Sequence, residues 1–247
     1  MRESMFLVIL VVVGLCAGAG HATDPRIKEA ERLAAHGEVE AARAQLQTIH
    51  DELRASGAET SAALHYNLGT LALGVDDVGD AVLHLAAAAR RAPLDDDVRH
   101  NLATALARRA DQVSAGATSS PGARLPAGPV RLAFGLALGL LGVVVAAAGA
   151  GSGVVARPAR RLLPAVGGIV VVASGLLGLR LHADATDLVV VMQDTEARPQ
   201  PDATATGFSV HAGLTGVVVA EQSGFLRLRL ENGVDVWVER DAVAHVP

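Results

Sequence analysis

HYNLGTLAL, running from His65 to Leu73, is answered by RHNLATALA, running from Arg99 to Ala107: Asn67, Leu68 and Thr70 recur as Asn101, Leu102 and Thr104, each 34 residues further on. Around these phrases, from Pro25 to Asp111, the chain is rich in Ala, Leu, Arg and Glu. It is punctuated by turn-forming residues at Gly37, Ser56-Gly57, Val75-Asp76-Asp77 and Pro93-Leu94-Asp95. These breaks predict about five helices of roughly 12 to 17 residues. Two helices per 34-residue step make a unit too small to bury its own apolar face, so each unit must lend its neighbour a surface.

The spacing resembles that of tetratricopeptide repeats, and particular positions carry the resemblance. Leu68 and Gly69 lie on the first helix of the central unit, Ala81, Leu85 and Ala88 on the second, and Pro93 closes it. A small residue at Gly69 or Ala81 lets two helix backbones approach, while Leu68 and Leu85 fill the space on either side. A backward shift of 39 residues sets Ala30, Ala42, Leu46 and Ile49 against Gly69, Ala81, Leu85 and Ala88, so a degenerate unit comes first, lengthened by five residues near Ser56-Gly57. A forward shift of 34 gives one more helix, suited to cap the stack. His65 and Ala72 stand where the family usually places tryptophan and tyrosine.

The rest of the chain divides by composition. It is 51% hydrophobic but 2% aromatic, and the apolar residues are concentrated in runs, which points to membrane segments beside soluble parts. A net charge of -5 gives no reason to expect a nucleic-acid partner. Residues 1–22 read as an export signal: Arg2, an apolar run from Met5 to Leu15, then Ala17, Ala19 and Ala22 suited to cleavage, with an uncleaved anchor as the alternative. Cys16, the only cysteine, follows Leu15 rather than the small residue a lipidation site wants, and cleavage after Ala19 or Ala22 leaves no thiol in the mature chain.

Residues 112–130, with Ser114 to Pro129 dense in Ser, Gly, Pro and Ala, read as a linker. Two uncharged stretches follow, Leu132 to Ala156 and Leu162 to Leu179, and at about 1.5 Å per residue the first is ample and the second near the minimum for a bilayer. They predict spans over 131–156 and 162–181, with Arg180 snorkelling to lengthen the second; a buried core helix pair is the soluble alternative. Arg157, Arg160 and Arg161, with no acid nearby, predict a short cytoplasmic loop over 157–161. An exported N-terminus and two crossings then put both folded ends in the periplasm. Gly135 and Gly139 form a GxxxG, and Ser174 and Gly178 a similar small pair, compatible with close helix packing.

After Asp187 the period becomes two. Leu226, Leu228 and Leu230 alternate with Arg227 and Arg229, and Val234, Val236 and Val238 follow the same pattern. Asn232-Gly233 between them predicts a type I′ hairpin turn. With GVVVAE before Ser223-Gly224 and a strand near Leu188 to Met192, residues 187–247 hold about five strands, enough for a small barrel. The stretch from Phe208 to Val243 resembles a bacterial SH3-like domain through Gly213, Phe225, the hairpin and Trp237-Val238, although Val236 replaces the usual glycine before the tryptophan. Arg198-Pro199-Gln200-Pro201 reads as a loop, and Trp237 as a structural or rim residue before a ligand anchor. The expected fold is thus multi-domain: an all-α tetratricopeptide-repeat solenoid, a transmembrane α-helical hairpin and a small all-β SH3-like barrel.

No chemistry stands out. The nine histidines include no H-E-x-x-H, and His50, His65, His84 and His100 fall on different helices whose polar faces are expected to expose them, so no metal, cofactor or catalytic residue is expected. Asp76-Asp77-Val78-Gly79-Asp80 lacks the final glutamate of a calcium loop and sits at an inter-helix turn, and Asp95, Asp96 and Asp97 suit a helix N-terminus.

The order of signal, repeats, two spans and SH3-like domain resembles the BatE proteins of bacterial aerotolerance operons. The resemblance implies a non-enzymatic inner-membrane scaffold whose partners include von Willebrand A-domain membrane proteins of the same operon. By that family's geometry Tyr66, Asn67, Thr70, Asn101, Thr104 and Arg108 are candidates for a partner-binding surface, with Trp237 a further contact; Asn67 and Asn101 also suit structural hydrogen bonding. The alternative is a cell-wall anchor that uses the SH3-like domain on peptidoglycan.

Overall fold

A computed structural model of the chain describes residues 24–111, 125–149 and 153–247. The export signal over 1–22, Cys16 and most of the linker lie outside the described residues. The chain divides into two compact units, Met1–Ile49 and His50–Pro247.

Five short helices come first, as the turn-forming residues predict: α1 (Pro25–Ala35), α2 (Val39–Ala55), α3 (Ala62–Gly74), α4 (Val78–Arg91) and α5 (Asp96–Ala107). Side chains set most of their starts. Asp24 accepts from the Arg26 amide, Ser61 from Leu64, Asp77 from Asp80, and Asp95 from both Asp97 and Val98, each satisfying donors that a helix N-terminus leaves open. The ends use left-handed residues, Gly37 at φ 83°, Gly57 at φ 70° and Asp76 at φ 61°. In the first unit Ala30, Ala42, Leu46 and Ile49 are all buried, the positions that the 39-residue shift selects.

In the second unit α3 and α4 meet where the small residues stand. A Cβ added to Gly69 would lie 2.7 Å from Leu85 Cγ, 3.0 Å from the Leu85 amide nitrogen and 3.2 Å from the Ala81 carbonyl oxygen. Leu64, Leu68 and Leu85 are buried around this approach.

Two long helices follow, α6 (Ala127–Gly149) and α7 (Gly153–Asp184), both long and apolar enough to cross a membrane over Ala127–Gly149 and Ala156–Ala183. The expected boundaries shift here. The first helix is described as far as Gly149, the second takes in Ala156, and Arg157, Arg160 and Arg161 lie exposed within the opening turns of α7 instead of in a loop. Arginine and alanine favour helix, which lets α7 start ahead of its apolar stretch. Arg180 does not snorkel: it is 4% exposed, and its Nη2 donates to the Arg90 carbonyl at 2.9 Å, tying α7 to the end of α4. The seam between α6 and α7 also differs from the glycine pattern. Val130, Ala137 and Val144 on α6 and Ala159, Val166 and Ala173 on α7 are buried at seven-residue spacing. A Cβ at Gly135, Gly139 or Gly178 would meet nothing within 4 Å. Repeats of seven are what two helices crossing at a shallow left-handed angle bury.

The C-terminal part is an antiparallel sheet, β6-β5-β4-β1-β7, with a two-stranded ribbon of β2 and β3. Its strands are β1 (Leu188–Val191), β2 (Thr195–Ala197), β3 (Phe208–Val210), β4 (Thr215–Gln222), β5 (Phe225–Leu230), β6 (Asp235–Glu239) and β7 (Val243–His245). Leu226, Leu228, Leu230, Val236 and Val238 point into a core with Val189, Val191, Ala197 and Leu214, whereas Arg227 and Arg229 face out and both bind Asp235. The two-residue turn expected at Asn232-Gly233 appears at the other hairpin instead. Ser223 and Gly224, at φ 51° and 81°, form the two-residue hairpin turn between β4 and β5. At Asn232-Gly233 only Gly233, at φ 83°, is left-handed, and Leu230 pairs with Val234 across a three-residue loop. Val234 therefore closes the loop, 48% exposed, and does not lie on the core face. Arg198 is no loop residue either: it exchanges both backbone hydrogen bonds with Trp237, at 2.7 and 2.8 Å, and its guanidinium lies between Glu196 and Glu239 over the Phe225 ring.

The sheet and the helices of this unit share a core. β1 is buried on both faces: Val189 and Val191 enter the sheet core, and Val190, with Val246, joins Ala72, Ala81, Val82, Leu85, Ala86, Ala87 and Ala105. Polar ties reinforce the join. Arg91 Nη1 donates to the Pro247 carbonyl at 2.9 Å, and the nearly buried Arg109 donates to Thr215 Oγ1 at 3.3 Å and lies 3.6 Å from Glu231. Gly213, at φ 89°, makes room for this packing, since a Cβ there would fall 2.8 Å from Val78 Cγ1 and 3.1 Å from Arg109 Cγ.

One tie has a pH dependence. Asp111 accepts from the His211 amide at 2.7 Å and lies 3.0 Å from His211 Nδ1, and this hydrogen bond raises the ring's pKa above its ordinary 6.5. A raised folded pKa means that the contribution is complete below the unfolded value of about 6.5 and fades as pH rises through the folded one. Amide exchange in β3 is therefore expected to quicken, beyond its intrinsic rise, as the solution is taken from mildly acidic to mildly alkaline. Asp111→Asn should remove that excess; an unchanged excess in the variant would refute the tie.

Candidate functional site

The sequence-predicted surface residues fall on α3 and α5, and several of them engage one another. Tyr66 and Thr70 are one turn apart on α3, Asn101 and Thr104 are about a turn apart on α5, and Arg108 caps its C-terminal end. Asn101 Nδ2 donates to Tyr66 Oη and to Thr70 Oγ1, both at 3.1 Å. Arg108 Nη1 donates to the Leu73 carbonyl at 2.8 Å, closing the end of α3, and lies 3.5 Å from Asp76. Thr104 Oγ1 donates within its own helix to the His100 carbonyl, and Asn67 is half-buried on α3. The group thus forms a polar seam between α3 and α5 and carries part of the inter-helix hydrogen bonding itself. All but Arg108 are half-buried, and the Arg108 side chain is 47% exposed. Trp237 is not part of it. It lies half-buried on the outward side of β6, opposite Arg227 on β5, in keeping with a rim residue.

A second constellation runs against the expectation drawn from the sequence. His50, His65 and His84, on α2, α3 and α4, are not exposed: they are 7%, 0% and 5% accessible, and only His100 of the four faces solvent. Their ring centroids lie 5.3 to 5.4 Å apart. His65 Nδ1 is 3.0 Å from His84 Nδ1, so when these hydrogen-bond one ring carries its proton on Nδ1 and the other presents a lone pair. His65 Nε2 lies 2.7 Å from Thr60 Oγ1, which also accepts from Arg91 Nη2 at 3.1 Å, and His50 Nδ1 lies 3.3 Å from Asp51 Oδ1. Burial pushes the His65 pKa down to about 3, with the Arg91 charge and the other two rings adding to it, so this ring is neutral at ordinary pH.

The sequence held a signal for this cluster. His50 follows Leu46 by four residues, His65 precedes Leu68 by three and His84 precedes Ala88 by four, and all three reference residues are buried. Each histidine therefore stands on the inward stripe of its helix, which the chemistry of its side chain alone did not suggest.

No protein-family model, no curated protein and no solved structure matches the chain.

Proposed function

We propose that this chain is a non-enzymatic scaffold of the bacterial inner membrane that holds protein partners in the periplasm, as the resemblance to BatE proteins implies. In this reading α1 to α5 are tetratricopeptide repeats, β1 to β7 an SH3-like domain, and α6 and α7 a transmembrane hairpin. The observation that carries it is the shared core of α3 to α5 and the sheet, with Arg180 of α7 bonded to the Arg90 carbonyl of α4. A partner resting on the α3–α5 seam would be held at a set height above the lipid, and the sheet beside it could add a second contact at high effective concentration. The expected partners are von Willebrand A-domain membrane proteins, with peptidoglycan as the competing target of the sheet.

A photo-crosslinker at Thr104 or Asn67, activated in intact cells, is expected to trap one membrane protein, and trapping none would sink the reading. The wall-anchor reading predicts instead that the full chain in detergent pellets with purified sacculi. The full chain is needed because an isolated sheet would expose Val190 and Val246. Side of the membrane is checked separately. With Cys16 replaced by Ser, single cysteines at Ala103 and Gln222 should both label with an impermeant maleimide from the periplasm, and one at Arg160 should not. Labelling of the two ends from opposite faces would sink the hairpin.

A further inference from the structure

We propose that His50, His65 and His84 bind a late first-row divalent metal ion, of the zinc class, which clamps the end of α2 to α3 and α4. One nitrogen from each ring lies within 4.8 Å of those of the other two, and all three rings are buried. Three nitrogens from separate helices lie close enough together that small ring movements would bring all of them to one ion. Three polar rings fill space between helices at a desolvation cost that apolar side chains would not carry.

For His65 and His84 the spacing is close to what an ion demands, and the His50 ring, within 4.8 Å, would have to move further in. Zinc–imidazole bonds of about 2.0 to 2.1 Å in a tetrahedron set neighbouring nitrogens roughly 3.3 Å apart. His65 Nδ1 and His84 Nδ1, now 3.0 Å apart, need to open by only a few tenths of an ångström. The outer shell also suits coordination. His65 can keep its proton on Nε2 and donate it to Thr60 Oγ1, leaving Nδ1 for the ion, and Asp51 beside His50 Nδ1 favours coordination through the other nitrogen. Binding then needs the ring that carries its proton on Nδ1 to move it to Nε2. Imidazole ligands favour zinc, copper and nickel over magnesium or calcium. Three protein nitrogens leave a fourth coordination position for water.

The test uses the full chain in nanodiscs, with Cys16 replaced by Ser and a tag free of histidine. Zinc titration after chelator treatment is expected to show one tight equivalent per chain and a raised melting temperature. Cobalt in its place should give the visible bands of a four- or five-coordinate nitrogen site. His65→Gln and His84→Gln should each weaken binding by at least about a hundredfold, while His36→Gln and His100→Gln, at exposed positions, leave it unchanged. Retention of tight binding in the first pair, or none in the parent chain, overturns the proposal. Should the first pair fail to fold, X-ray absorption at the zinc edge of the parent chain decides. Three imidazoles in the first shell support the clamp, and one or none overturns it.

Discussion

Val190→Asp is expected to unfold the helices α3 to α5 together with the sheet, although the substitution lies in a β-strand. Val190 is fully buried, and its neighbours on that face of β1 belong to the helices: Ala81, Val82 and Leu85 share its cluster. Burying a charge in this apolar cluster costs about 3 to 5 kcal/mol or drives the group to protonate. Against a total stability on the order of 5 to 15 kcal/mol, that is enough to empty the folded state of a marginal unit. The check is hydrogen exchange followed by mass spectrometry. Amides of α3, α4 and α5 should lose protection in step with those of β4 and β5. Helices that stay protected while the sheet exchanges would show that the two do not fold as one.

The second large effect is at Gly69. In a helix interior, Gly→Ala ordinarily stabilises by about 1 kcal/mol, because alanine loses less backbone entropy. Here the added methyl would lie 2.7 Å from Leu85 Cγ and 3.0 Å from a backbone nitrogen. The side chain could swing aside, but the backbone of α4 would have to move as a body. Overpacking of this kind costs about 1 to 3 kcal/mol, so the sign of the usual effect reverses. Gly69→Val, with two further methyls and a stiff side chain, is expected to cost at least as much again. Gly74→Ala serves as the control, since a Cβ there meets nothing within 4 Å, and it should be neutral or slightly stabilising. Denaturant midpoints of the three variants decide it; a Gly69→Ala variant more stable than the parent would mean that α3 and α4 are not this close.

What the sequence by itself determined was whatever is encoded between near neighbours. The five short helices, their caps at Asp77 and Asp95, the two long apolar helices and the alternating leucines of β5 follow from period, turn residues and run length. These depend on backbone preferences and on which side of one element is apolar. The run Leu188-Val189-Val190-Val191 carried more than was read from it: an unbroken apolar strand, rather than an alternating one, is the mark of burial on both faces. Only the tertiary structure decided that the second face packs on α4. It alone turned Arg180 from a residue reaching for the lipid surface into a tie to Arg90, and made Arg198 a bridge in the sheet. It alone gathered His50, His65 and His84, which are 15 and 19 residues apart, from three helices into one buried cluster. Burial of a polar side chain is set by the elements that close over it, and those come from distant parts of the chain, beyond the reach of any local period.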